Sequence, residues 1–229
     1  LPIFYQPVVQ EGINHLDQEE ARHAIKVLRL QSGDPLRITD GKGSIYECTI
    51  TDIAKSTCSF SVHKTISVPR RNFSIHIAIA PTKNIDRIEW FVEKATEMGI
   101  EKISFVRSKN SERTVVNPER LAKKAISAMK QSGQAWLPLL QPIQPFDQLL
   151  DFGGLKYIAH VDPENPQHLK EAPPNGHYLV LVGPEGDFSQ QEVDLAVEKG
   201  FQKVSLGATT LRTETAGLAA CFILNLINS

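Results

Sequence analysis

The residues best placed to do chemistry in this chain of 229 lie near its end, in two glycine-bearing loops, GPEGDF (183–188) and SLGATTLRTETA (205–216). Each follows an apolar run and precedes a helical pattern. Loops of this build aim main-chain N–H groups and the positive end of a helix at a ligand, so two in succession predict a binding pocket. In the first, Gly183, Pro184 and Gly186 break the apolar run YLVLV (178–182), and Gly183 and Gly186 bracket the point where a ligand should approach the main chain closely. Ser189 and Glu192 then have capping-box spacing, with Gly200 where the helix should stop. The second loop repeats the pattern, with 204–206 as strand, Gly207 as turn and a helix from about Thr215. Arg212 is the cation of this loop and Glu214 the carboxylate of the same motif; Thr213 and Thr215 sit where helix caps belong.

Other chemistries find little support. No G-x-x-x-x-G-K-[ST] motif is present, and Gly41 and Gly43 lie between strand-like runs as a hairpin turn would, which argues against P-loop and Rossmann enzymes. His160 ends the run KYIAHV in position to line a third loop, 159–161; His76 alternates within FSIHIAIA as a core or face residue; His23 belongs to an N-terminal helix. None has a nearby Ser or Cys that would suggest a hydrolase. Cys48, Cys58 and Cys221 are far apart and outside any C-x-x-C or histidine cluster, so neither a metal site nor a disulfide framework is expected. The start, LPIFYQPVV, lacks the build of a signal peptide, and the apolar stretch 216–227 is too short to span a bilayer. A cytoplasmic protein with no membrane partner is expected.

The elements that must position the loops change character along the chain. Asp17 and Glu20 open a helix over 17–30, and β-like runs at 35–39, 44–53 and 57–68 suggest a small barrel. From Phe73 strands alternate with helices at about 85–98 and 118–132, which predicts a mainly parallel α/β domain after a hinge at residues 69–71. The two domains are therefore placed at 1–69 and 70–229. The overall charge of −1 hides an asymmetry: −1 over 1–69, +6 over 70–141 and −6 over 142–229. The basic middle, with Arg70, Arg71, Lys83, Arg87, Arg107, Lys109, Arg113, Arg120, Lys123 and Lys124, is the candidate phosphate-binding surface. The last helix carries no charge after Glu214 and is apolar nearly all round, which predicts burial on every side, in a core or a subunit interface.

The strings LVGPEGDFSQQEVDLA and SLGATTLRTETAGLAA, with HAIKVLRLQSGDPLRITDGKG (23–43) and EKATEMGIEKI (93–103), resemble the bacterial 16S rRNA uridine-N3 methyltransferases of the RsmE type, in the SPOUT superfamily. The similarity runs the length of the chain. It departs at Asp187, where that family usually has glycine, and at Lys130 and Gln134, where it usually has glutamate and arginine. The resemblance implies a PUA-like RNA-binding domain and a trefoil-knotted catalytic domain that forms a homodimer. It also implies S-adenosylmethionine as cofactor and N3 of a uridine in the small ribosomal subunit as target. On that reading Ala159, His160, Val161, Leu181, Gly183, Pro184, Glu185, Gly186, Leu206, Gly207, Leu211 and Thr213 hold the cofactor. Arg212 stabilises the imidate formed as N3 loses its proton, and Glu214 is the candidate base. His23, Arg29, Arg70, Arg71, Lys83, Arg87, Arg113 and Lys124 are the candidate RNA contacts. Two rivals stand beside it: a SPOUT enzyme acting on a ribose 2′-hydroxyl or another RNA base, and a non-catalytic RNA-binding assembly factor.

Overall fold

Period-two alternation over residues 35–67 becomes an antiparallel meander in the computed structural model, which describes residues 1–9, 12–162, 164 and 167–229. Strands β2 (Pro35–Thr39), β3 (Ser44–Ile53) and β4 (Cys58–Ser67) pair antiparallel, and β1 (Ile3–Tyr5) adds parallel to β2. Tyr46, Cys48 and Ile50 alternate into a core with Phe4, Leu36, Ile38 and Phe60. The β2–β3 turn needs glycine at residue 43: φ is +105°, and a Cβ there would lie 2.3 Å from the Trp136 ring.

The helix expected over 17–30 is shorter and changes pitch. It comprises α1 (Gln18–Arg22) and a π-helical turn, His23–Val27, in which Leu28 N–H reaches the His23 carbonyl. Arg29 then takes a left-handed φ of +56°. Asp17 caps the Glu20 N–H as the spacing implies, but the Glu20 side chain is buried against Lys130 and does not complete the box.

The chain divides into two compact units: Leu1–Arg70 with Ile126–Leu137, and Arg71–Ala125 with Pro138–Ser229. Placing the segment 126–137 with the first unit differs from a simple cut after residue 69. Its polar contacts explain why: Lys130 pairs with Glu20, Thr39 Oγ1 donates to the Gln134 carbonyl, and Trp136 Nε1 donates to the Val68 carbonyl at 2.9 Å. Burial raises the Glu20 pKa and Lys130 opposes that shift, so the departure from the resembled family at residue 130 supplies the counter-charge for a buried carboxylate.

The second unit is a six-stranded parallel sheet. Its strands are β5 (Ser74–Ile79), β6 (Lys102–Arg107), β7 (Leu139–Pro145), β8 (Leu155–Ala159), β9 (His177–Val182) and β10 (Gln202–Val204), in the order β10-β8-β9-β5-β6-β7. Strand β7, with Pro142 and Pro145, lies at the edge, where a missing N–H costs little. One face packs Ala78, Ile158, Leu179 and Leu181 on Val193 and Ala196 of α4 (Gln190–Glu198). Helix α4 opens with the Ser189–Glu192 capping box, and Gly200, at φ +86°, follows it. On the other face, α5 (Thr213–Leu226) lies against α2 (Ile85–Glu97) and β5, where a Cβ on Gly217 would come 2.7 Å from Phe91 and 3.0 Å from Ile79. Helix α3 (Pro118–Ser132) starts in this unit and ends in the first.

Helix α5 begins two residues before the expected Thr215, and within a single copy of the chain one side of it is bare. Leu218, Ala220, Cys221 and Leu224 face the core, but Phe222 and Leu226 are 56% and 61% exposed, and Trp90 on α2 is 45% exposed.

His76 is buried within β5, as its alternation suggests, with Nε2 2.7 Å from Ser104 Oγ and Nδ1 unpartnered. Burial, reinforced by Lys102, pushes its pKa down to about 3 from 6.5. The folded state therefore holds His76 neutral while the unfolded chain protonates it, so its contribution to stability falls as pH drops below 6.5 toward 3. Denaturant titrations should show the wild type losing about 2 kcal/mol more than His76→Gln between pH 7 and pH 5. Parallel pH profiles would contradict this account.

Candidate functional site

Parallel pairing brings the carboxyl ends of three strands level: Ala159 of β8 is registered with Val182 of β9 and with Val204 of β10. The loops that follow are thereby held side by side. They enclose a cavity of about 550 Å³ lined by residues 159–162, 182–185, 187, 204–213 and 216, all in the second unit. That volume suits a small ligand, and the opening lies at the strand ends where parallel sheets bind them.

Of the residues singled out in the sequence, Ala159, His160, Val161, Gly183, Pro184, Glu185, Leu206, Gly207, Leu211, Arg212 and Thr213 line this cavity. Leu181 does not; its side chain belongs to the core on the α4 face of the sheet. Gly186 also lies outside the lining, and a Cβ there would meet Asn110 at 3.5 Å, an ordinary contact. The close approach belongs to Gly183, where a Cβ would come 3.1 Å from Asp187 Oδ1 and 3.2 Å from the Phe188 nitrogen.

The lining is polar at its loops. His160 Nδ1 donates to Asp187 Oδ2 at 2.9 Å, joining the β8 loop to the β9 loop, and Asp187 holds a left-handed φ of +58°. Asp162 pairs with Lys203. Thr213 does not cap α5. Arg212 occupies the cap position without a side-chain cap bond, and Thr213 Oγ1, buried, donates to the Gly183 carbonyl at 3.0 Å. This bond ties the start of α5 to the first glycine of the β9 loop.

Glu214 also departs from its expected place. It is buried outside the cavity lining, with Oε1 3.8 Å from Arg87 Nε and Oε2 unpartnered. The helix turns it toward α2, away from the loop that carries Arg212. Lining residues that sequence reasoning did not select include Asp162, Ser205 and 208–210; residues 205 and 208–210 stand inside the quoted loop, so the loop as a unit was their signal.

The candidate RNA contacts are scattered, and several are engaged by protein groups. Arg71 binds Glu101, Asn225 and the Gly99 carbonyl, and Arg113 donates to the carbonyls of Thr82 at 3.0 Å and Lys83 at 2.6 Å. Lys83 pairs with Glu112 at 3.1 Å, and Lys124 lies 3.9 Å from Glu89. Arg70 stacks 3.7 Å above the Trp136 ring. In the first unit His23 packs edge-on against Phe4, while Arg29 is exposed.

The sequence matches the profile of an RNA methyltransferase domain over residues 69–225 and that of an RNA methyltransferase PUA domain over 16–62. It is 32% identical over 213 residues to the ribosomal RNA small subunit methyltransferase E of Rickettsia conorii, covering 90% of this chain and 87% of that one. Among solved structures it resembles a protein of Porphyromonas gingivalis described as a probable rRNA-methyltransferase. The two are 40% identical, with TM-score 0.94, covering 100% of this chain and 98% of the other. It also resembles the ribosomal RNA small subunit methyltransferase E of Neisseria gonorrhoeae bound to S-adenosyl methionine, at 28% identity and TM-score 0.86, covering 100% and 98%.

The Thr213 bond supplies a stability test. Thr213→Val keeps the shape but leaves the Gly183 carbonyl without this donor, and should destabilise the protein by about 1–2 kcal/mol in urea titrations. Thr213→Ser should stay close to wild type; equal losses in both would assign the effect to packing instead.

Proposed function

Because the chain belongs to the RNA methyltransferase family, with methyltransferase E proteins of the small ribosomal subunit as its relatives, we propose that it methylates N3 of one uridine in 16S rRNA. It is an S-adenosylmethionine-dependent rRNA methyltransferase. The observation that carries the finer reading is the three-loop cavity with Arg212 on its wall.

The cavity suits the cofactor. Its volume fits a nucleoside-sized ligand, and Gly183 on its wall, where a Cβ would press on Asp187 and Phe188, lets the β9 loop fold back tightly beside it. Main-chain groups of the loops around Gly183 and Leu206–Leu211 match a neutral adenine, and Ala159, Val161 and Leu211 supply apolar walls. When bound, the cofactor supplies a methyl group on a cationic sulfur. The protein must then hold a uracil edge in line with it and make an imide nitrogen nucleophilic. In this reading Arg212, exposed at the start of α5, directs its guanidinium at a uracil carbonyl and stabilises negative charge as the N3 proton departs. Glu214 takes no part as base in this reading, because its carboxylate faces Arg87 outside the cavity.

N3 lies on the pairing edge of uracil, so the target uridine must be unpaired or flipped out. The exposed turn of the first unit that carries Arg29 suits contact with flanking phosphates, since a π-helical turn ending in a left-handed arginine is a costly local structure of the kind found at functional sites. A second copy of the chain accounts for the bare side of α5. Phe222, Leu226 and Trp90 are large, apolar and exposed on two helices packed against each other, so a homodimer through this face would bury them.

Three measurements test the reading. Small subunits from a strain lacking the gene, incubated with the protein and labelled cofactor, should acquire N3-methyluridine; a ribose-methylated product would overturn the assignment of target. In single turnovers at saturating RNA, Arg212→Ala should be slower by roughly a hundredfold, and an unchanged rate with weaker RNA binding would remove it from the chemistry. Sedimentation at micromolar concentration should give a dimer for the wild type and a monomer, or an unfolded chain, for Phe222→Asp. A folded wild-type monomer would exclude the dimer.

A further inference from the structure

The cavity lining carries three carboxylates, and they differ in what holds them. Asp162 is ion-paired with Lys203, and Glu185 is exposed, with Oε1 accepting the Lys83 N–H at 3.3 Å. Asp187 is partly buried and drawn in by two donors: the Phe188 N–H reaches Oδ1 at 2.7 Å, and His160 Nδ1 reaches Oδ2 at 2.9 Å. No lysine or arginine pairs with it among the described residues, and its Oδ1 lies over the Gly183 main chain. Its left-handed φ of +58° is a conformation that disfavours most side chains, so the carboxylate is placed at a cost in backbone strain.

We propose that Asp187 is a specificity residue that makes the cavity prefer a cationic methyl donor to the product left after transfer. The proposal rests on the function given above. Methyl transfer to the imide nitrogen leaves the C–S bonding pair on sulfur, so the sulfonium charge disappears and the product is a neutral thioether. A fixed carboxylate on the wall attracts the first and gains nothing from the second, which favours loading of donor and release of product. Because the Asp187 side chain is 42% exposed, solvent and salt weaken the attraction, and the preference it contributes is roughly three- to tenfold.

Calorimetric titration of the intact protein with S-adenosylmethionine and with S-adenosylhomocysteine tests this. The wild type should bind the donor more tightly, and added salt should narrow the gap. Asp187→Asn and Asp187→Gly should each cut the donor-to-product affinity ratio by about three- to tenfold, mainly through weaker donor binding. The glycine variant also relieves the left-handed backbone, so it provides a folded test if the amide variant is unstable. Glu198→Gln, which removes an exposed carboxylate outside the cavity lining, should keep the ratio within about twofold of wild type. If both Asp187 variants lose affinity equally for the two ligands, the residue is a loop brace and the proposal fails. If the wild type binds neither ligand, the methyl-donor reading of the cavity fails, and the proposal falls with it.

Discussion

The register of three parallel strands is the constraint from which the site follows. With Ala159 level with both Val182 and Val204, the chain must leave β8, β9 and β10 at one height, and the loops that begin there have no choice but to stand abreast. Slipping a strand by one residue would exchange its inward and outward faces, which the apolar packing on both sides of the sheet forbids. The Thr213–Gly183 bond then fixes the start of α5 to the β9 loop, so the position of Arg212 descends from sheet register through one hydrogen bond.

Burial keeps several reactive groups out of use. The thiols of Cys48 and Cys221 are pushed up to about 12 by burial, and that of Cys58 is raised for the same reason, so none supplies a thiolate at neutral pH. His76 is held neutral in the sheet, and Glu214 is turned to a neighbouring helix. None of these groups lines the cavity, whose three loops offer polar groups of their own. A direct transfer from a bound donor, with no covalent intermediate on the protein, suits such a site.

How much of this was legible in the sequence depends on how local its cause is. Strands β2 and β3, the stop at Gly200 and the Ser189–Glu192 box follow from neighbours in the chain, and the structure has them where the spacing implies. Most of the cofactor candidates line one cavity because the glycine loops are local signals whose assembly needs only a parallel sheet. What failed depends on distant partners. Thr213 looks like a cap until the Gly183 carbonyl is placed beside it, and Glu20 looks like half of a box until Lys130 claims it. Gly186 and Gly183 are equivalent in the sequence, but they face different neighbours. The strands β1 and β7 are short or proline-bearing edges, whose pairing comes from the sheet rather than from their own pattern.

The two tryptophans are divided between the two units, Trp136 in the first and Trp90 in the second. Trp136 is clasped between the Val68 carbonyl and the Arg70 guanidinium, whereas Trp90 lies half open on α2. Intrinsic emission from this protein is therefore a sum of two signals with separate origins. A variant lacking either indole isolates the other, so that loosening of one unit is visible by colour and quenching without any label.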